Sequence, residues 1–221
     1  MYRLELHAHS SEVSTCAHAD AETVIRRYRA TGYHGLVSTN HINGGTYQRM
    51  EEWPWEKRAE YFIAGYNALK KAAGEDFDVL LGCEINLRGS ANDYLVFGVT
   101  EDWLLSLGDP RGWKLDELSG RVRSAGLMIV QAHPFRYGCV IMRDELLDGV
   151  EVFNGNAWHD SHNYMAALWA RKKHLIATSG SDTHNDDSPI NGGIETEERI
   201  RDNQALLHVL RTGSFRLLGV D

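Results

Sequence analysis

The residues of this chain best suited to chemistry are histidines and carboxylates that follow apolar runs. Leu4-Glu5-Leu6 leads into His7-Ala8-His9, and Leu36-Val37-Ser38 into Thr39-Asn40-His41. Val79-Leu80-Leu81 leads into Gly82-Cys83-Glu84, and Met128-Ile129-Val130 into Gln131-Ala132-His133-Pro134. Ile176-Ala177-Thr178 precedes Gly180-Ser181-Asp182-Thr183-His184. In a strand, residues two apart share a face, so His7 pairs with His9 and Asp182 with His184. A single such His is an ordinary loop residue. Five strand ends that each deliver His, Asp or Glu predict one shared site. Imidazole together with carboxylate is ligand chemistry for zinc, manganese or iron rather than calcium. Several such groups at one mouth predict a multinuclear centre, with Glu84 as the bridging carboxylate and Asp182 as the second.

Such a centre predicts hydrolysis. A divalent ion brings the pKa of bound water to roughly 7, and two ions about 3.5–4 Å apart hold both the attacking and the leaving oxygens of a phosphoryl group. The non-bridging oxygens then need a cation. Arg136 follows His133-Pro134 in the same loop, and its planar fork suits phosphate; it reads equally well as a surface ion-pair partner. Other nucleophilic schemes fail, because the chain has no Gly-x-Ser-x-Gly elbow and no glycine-rich phosphate loop followed by lysine.

These residues need elements to position them. Strand-like runs alternate with helix-like stretches along the whole chain, with no repeat or linker. Asp20 is the expected N-cap of a helix that stops at Gly32, and Pro54 opens a long helical pattern reaching Ala72. Further strands are expected at Tyr94–Phe97, Val150–Phe153 and Phe215–Leu218, and helices at Leu115–Ala125, Ser161–Lys173 and Gln204–Arg211. Strands apolar on both faces that alternate with helices predict a parallel α/β sheet, and about seven such units predict a closed barrel. In such barrels the chemistry gathers at the C-terminal strand ends, which is where the polar clusters fall.

The 221 residues suit one domain, 1–221, with a full core; 43% are apolar and 24% charged. A net charge of -8 argues against a broad basic surface for nucleic acid, although bound cations would offset it locally. Three scattered cysteines make no disulfide framework. With no membrane-length apolar run and no leader pattern, a cytoplasmic protein is expected.

The ordered set His7-x-His9, Asn40-His41, Gly82-x-Glu84, Ala132-His133-Pro134 and Gly180-Ser181-Asp182-x-His184 resembles the PHP (polymerase and histidinol phosphatase) family over nearly the whole chain. The resemblance implies a distorted (β/α)7 TIM-like barrel with two or three divalent transition-metal ions (Zn, Mn or Fe) and phosphoesterase activity. It implies that His7, His9, Glu84 and Asp182 share one ion, that Glu84 and His133 contribute to a second, and that His41 and His184 serve a third. Glu84, Asp182 and His184 are the expected catalytic set, acting with a metal-activated hydroxide, and Arg136 the expected substrate ligand. Where relatives supply a further His or Asp after the first motif, this chain offers Cys16 or His18. Where they carry a His after the Gly-x-Glu, it offers Asp93. Asn40 stands where Asp is commoner.

A small phosphorylated substrate is therefore expected, and neither nucleic acid nor a membrane. Two rivals remain: an amidohydrolase-type enzyme, and a metal-binding relative without catalysis. The first often needs a mid-barrel lysine, whereas Lys114 falls at a helix start. His159 and His162 lie on the expected catalytic side. Trp53 and Trp55 lean toward a substrate wall. His34, His174 and His208 read as structural or solvated, and Glu195–Arg199 as solvated surface.

Overall fold

Residues 1–220 are described in a computed structural model, and their path follows the alternation of strand and helix. Among the described residues, eleven strands and seven α-helices form a mixed α/β fold with two sheets. The first sheet contains β1 (Tyr2–Ala8), β2 (Gly35–Ser38), β4 (Asp78–Leu81), β10 (Ile194–Thr196) and β11 (Arg216–Leu217), in the order β11-β10-β1-β2-β4. The second contains β3 (His41–Ile42), β5 (Cys83–Asn86), β6 (Asp93–Phe97), β7 (Met128–Gln131), β8 (Gly149–Asn154) and β9 (Ile176–Gly180), in the order β3-β5-β6-β7-β8-β9.

The sheets meet at two seams. At one, β3 follows β2 and β5 follows β4 after very short breaks. Gly82 marks the second break, where an added Cβ would lie 2.7 Å from Val37 and 3.0 Å from the Val96 carbonyl, so only glycine fits. At the other, Ala8 bridges Thr183 in parallel and the Asp182 amide donates to the His7 carbonyl at 2.9 Å.

The helix signals hold. Asp20 accepts from the Thr23 amide and caps α1 (Ala21–Ala30), and Gly32 follows with φ +81°. Pro54 precedes the long α3 (Trp55–Ala73). α5 (Leu115–Ser124), α6 (Asn163–Lys173) and α7 (Asn203–Thr212) lie close to their expected spans. The short α2 (Gly44–Gln48) and α4 (Glu101–Leu107) were not expected.

Two expectations are corrected. The all-parallel sheet is broken by β6, which pairs antiparallel with both β5 and β7. Only residues 87–92 separate it from β5, too few for the crossover that a parallel neighbour needs. Of the stretch Glu195–Arg199 expected to be solvated, Glu197 and Glu198 are exposed, but Glu195 and Thr196 lie in a buried strand, Ile194–Thr196, antiparallel to β1, and the Glu195 carboxylate accepts from Arg3 at 3.2 Å and from Arg216 at 2.5 Å.

Leu4, Leu6, Val37, Leu80, Leu95, Phe97 and Val130 form one apolar cluster with Leu206, Leu207 and Leu210 of α7. Because β6 runs backwards, Asp93 starts it at the ligand end, while Gly98 beyond its other end packs against Leu207. Thus α7 covers the strand ends remote from the chemistry. Among the described residues no helix is long and apolar enough to cross a membrane.

Candidate metal centre

Strand register brings the predicted side chains together. His41 pairs directly with Glu84 across β3 and β5. The β1–β2 pairing shifts between Glu5 and Ala8, a bulge beside His7. The fully buried Glu5 accepts from the backbone amides of Leu6, His7 and Ser181, each at 2.9 Å, and from the Tyr28 hydroxyl at 3.1 Å. One buried carboxylate therefore satisfies donors that the irregular strand leaves free. His133 and Asp182 have positive φ, +26° and +50°, a backbone region unusual for side-chain-bearing residues and one that turns them out of the strand path.

The result is a tight cluster. Glu84 Oε2 lies 2.8 Å from His41 Nδ1, 3.3 Å from His7 Nε2 and 3.4 Å from His9 Nε2. Glu84 Oε1 lies 3.2 Å from His133 Nε2. Asp182 Oδ1 lies 3.4 Å from His7 Nε2, 3.2 Å from His9 Nε2 and 3.4 Å from His184 Nδ1. His41 and His184 face each other, Nε2 to Nε2, at 3.4 Å. All seven predicted ligands are in this cluster, and only His184 is more than slightly exposed.

The atoms facing the centre fit a cation. His7 Nε2, His9 Nε2, His41 Nδ1, Glu84 Oε2 and Asp182 Oδ1 are buried and crowd one another, yet among the described residues none meets a partner in hydrogen-bonding geometry. Native proteins rarely leave buried polar atoms unpaired. Donors about 2.0–2.2 Å from a common ion lie about 3 Å from one another, the spacing seen here. Among the described residues, three groups have ligand atoms within 4.8 Å of one another: His7/His9/Asp182, His7/Glu84/His133 and His9/His41/His184.

The electrostatics agree. Burial pushes the Glu84 and Asp182 carboxyls up, but the imidazoles around them hold both well below the usual carboxylate range. Burial would lower His7, yet Asp182, Glu151 and Glu84 raise it far above the ordinary imidazole value. Glu84 likewise outweighs burial at His41, and burial is again overcome at His133, which the hydrogen bond to Glu84 and its charge raise to about 10. His9 is lowered strongly by burial and by His41 and His184. Ionised carboxylates among crowded imidazoles are the state that a divalent cation displaces protons to enter.

Residues outside the expected ligand set orient the cluster. Glu151 accepts from His7 Nδ1 at 2.8 Å, from the His133 amide at 2.9 Å and from Asn154 Nδ2 at 3.0 Å, leaving His7 Nε2 to face the centre. Asn154 and Asn156 donate to Asp182 Oδ2 at 3.1 and 3.3 Å. Asn40 accepts from the Ser10 amide and the Ser14 hydroxyl, so its side chain pins the loop after His9. Charged Glu5 and Glu151 within otherwise apolar strands were the available signal.

A cavity of about 700 Å³ opens over the cluster, lined by His41, His133, Asp182 and His184 together with Asp93, Arg136, Asn156, Trp158 and His159. Arg136 reaches it and also donates to Asp93 Oδ2 at 2.9 Å, so both sequence readings of this residue apply. Asp93 Oδ2 is 3.8 Å from His133 Nε2. His159 lines the cavity and Trp158 supplies its wall, in place of the expected tryptophans. Trp55 is buried and donates to the Leu104 carbonyl at 3.0 Å, and Trp53 packs on the core.

Comparison with solved structures shows that this fold is shared by several known proteins. A two-domain protein from Bacteroides vulgatus that contains a predicted PHP-like metal-dependent phosphoesterase superposes with a TM-score of 0.67 at 13% identity, covering 98% of this chain and 64% of that one. The chain thus spans under two thirds of that protein's length.

The shared feature is the fold.

An amidohydrolase from Chromobacterium violaceum, solved with sulfate and no metal, gives 0.55 at 19% identity over 94% of this chain and 96% of that one. A lesion-specific endonuclease from Pyrococcus furiosus gives 0.66 at 12% over 98% of this chain and 57% of that one. No family model matches the chain, and no curated protein matches it. With an endonuclease among the neighbours, the expectation that excluded nucleic acid has no support from the comparisons.

Proposed function

We propose that residues 1–221 form one PHP-like domain, a distorted seven-stranded barrel, that hydrolyses a small phosphate ester at a two- or three-ion centre. The observation that carries this reading is the set of buried, unpartnered imidazole and carboxylate atoms on the floor of a cavity that also holds Arg136. His7, His9, Glu84 and Asp182 would hold one ion, Glu84 and His133 would contribute to a second, and His41 and His184 would serve a third. Bound there, zinc, manganese or iron supplies hydroxide at neutral pH and neutralises phosphoryl charge.

The chain's own groups do the rest. Arg136 directs its guanidinium at the non-bridging oxygens, with Asp93 fixing its orientation. Glu151 holds His7 by Nδ1, and Asn154 with Asn156 holds Asp182 by Oδ2. His159 lines the cavity and can pass a proton to a leaving oxygen. A carboxylated-lysine centre is disfavoured, since Lys114 lies exposed before α5.

The test is hydrolysis by metal-supplemented protein of a phosphomonoester, a phosphodiester and an amide. Turnover of a phosphate ester that chelator abolishes and added metal restores is the expected result. Turnover of the amide alone would overturn the proposal in favour of an amidohydrolase, and no turnover of any substrate by fully loaded protein would leave a binding protein.

A further inference from the structure

We infer that Trp158 is the platform for the leaving group, and that the substrate is the ester of an uncharged alcohol carrying a flat heterocycle, as in a nucleoside monophosphate. The inference rests on the phosphoesterase reading above and assigns the part of the substrate that the metals do not touch.

Trp158 stands apart from the other tryptophans. Trp55 and Trp169 are buried in the core, and Trp53, Trp103 and Trp113 pack against it. Trp158 is 69% exposed and lines the cavity over the metal cluster. An indole left in water beside a concave site offers a large apolar face to a flat ring. Its backbone is fixed to the centre. The Trp158 amide donates to Asn156 Oδ1 at 2.9 Å, the Asn156 amide donates to Asn154 Oδ1 at 3.2 Å, and Asn156 Nδ2 donates to Asp182 Oδ2 at 3.3 Å. The side chain of Asn156 thus ties the turn that carries the indole to a carboxylate of the cluster.

The rest of the cavity decides what the ring brings with it. About 700 Å³ is in the range that encloses a drug-sized ligand, so a phosphoryl group alone leaves most of it empty. Among the described residues Arg136 is the only lysine or arginine lining it, and the phosphoryl oxygens take that charge, so no such cation remains for a second anion. The carboxylates are Asp93 and Asp182. Arg136 and Asn86 each donate to Asp93 at 2.9 Å, and Asp182 belongs to the metal cluster, so neither remains for an ammonium group. What remains is neutral. Asn43 Oδ1 accepts from the Thr46 amide, and Asn86 Nδ2 donates to the Asn92 carbonyl and Asp93. Among the described residues this leaves the Asn43 amide nitrogen as a donor and the Asn86 amide oxygen as an acceptor. An exposed indole with one amide donor and one amide acceptor suits the face and the edge of a heterocyclic base.

Phosphonates test this, because carbon replaces the ester oxygen and the ligand survives in a hydrolase. Calorimetry on the metal-loaded full chain compares a nucleoside phosphonate, ethylphosphonate and aminoethylphosphonate. The nucleoside compound is expected to bind about five- to twentyfold tighter than ethylphosphonate, the lower part of what stacking a base on an aromatic ring gives. Aminoethylphosphonate should bind no tighter than ethylphosphonate. Trp158→Ala should bring the ratio of nucleoside to ethyl compound to about one, and Trp158→Phe, which restores a ring, should keep most of it. The ratio reads the platform separately from metal content and folding, since both ligands share the phosphonate. A parent without the preference, a preference that survives Trp158→Ala, or tighter binding of the aminoethyl compound overturns the inference and spares the hydrolase reading. A Trp158-dependent preference in loaded protein that cleaves no phosphate ester upholds the platform and overturns the hydrolase reading.

Discussion

Glu84 touches four imidazoles with its two oxygens, so its charge is common to every part of the cluster. Glu84→Gln replaces one acceptor by an amide donor and is expected to lose metal and activity together, as read by elemental analysis and phosphatase assay. A glutamine variant with the parent's metal content would show that Glu84 is not a bridge. Glu151 acts at one remove, through His7. Glu151→Gln should leave the fold unchanged by circular dichroism yet weaken metal affinity about 10–100-fold in a chelator competition; an unchanged affinity would limit Glu151 to packing. Arg136→Ala should retain metal and weaken phosphate binding by about 1.5–3 kcal/mol, the value of a charge-assisted hydrogen bond. Calorimetry showing unaltered phosphate binding would reduce Arg136 to a partner of Asp93. The seven clustered side chains were legible in the sequence because ligand chemistry needs particular residue types and strand ends announce themselves. Their orienting partners were not: Glu151 reaches His7 across 144 positions, and no local pattern encodes such a contact.

At the scale of elements, what was legible followed local physics: the caps at Asp20 and Gly32, the start of α3 behind Pro54, and the apolar runs of the parallel strands. The direction of β6 depends on the length of the loop before it rather than on its own composition, so apolar content misled. β10 was missed because Glu195 looks solvated until Arg3 and Arg216 are seen around it. Another such device joins the start of α3 to the loop after α4. The buried Arg58 donates to Asp109 at 2.8 Å, and Arg111 holds the same carboxylate. Burial pushes Asp109 up, but hydrogen bonds from Arg111 and the two guanidinium charges bring it below the ordinary carboxylate range. A depressed carboxyl stabilises the fold above its unfolded pKa, and that contribution is lost as pH falls through the folded value. Asp109→Asn should therefore destabilise metal-free protein by about 1–2 kcal/mol at pH 7, a figure discounted for the carboxylate's partial exposure. In urea melts the gap should narrow below about pH 4. A gap that stays constant with pH would mean that packing, not charge, accounts for the loss.

The whole molecule carries 23 basic and 31 acidic residues, which gives no general attraction for a polyanion. Its cavity of about 700 Å³ suits a compact ligand. A nucleoside monophosphate or sugar phosphate should be cleaved more efficiently than single-stranded DNA, in manganese at physiological salt. Efficient cleavage of long DNA with no turnover of any small ester would move the chain toward the activity named for its endonuclease neighbour. The expectations about binding and catalysis depend on the cluster holding metal, and that is measured directly by elemental analysis of protein purified without a histidine tag. The account predicts at least about two first-row transition ions per chain, lost together in Glu84→Gln. Less than about one ion per chain, even after loading with zinc or manganese, would contradict it.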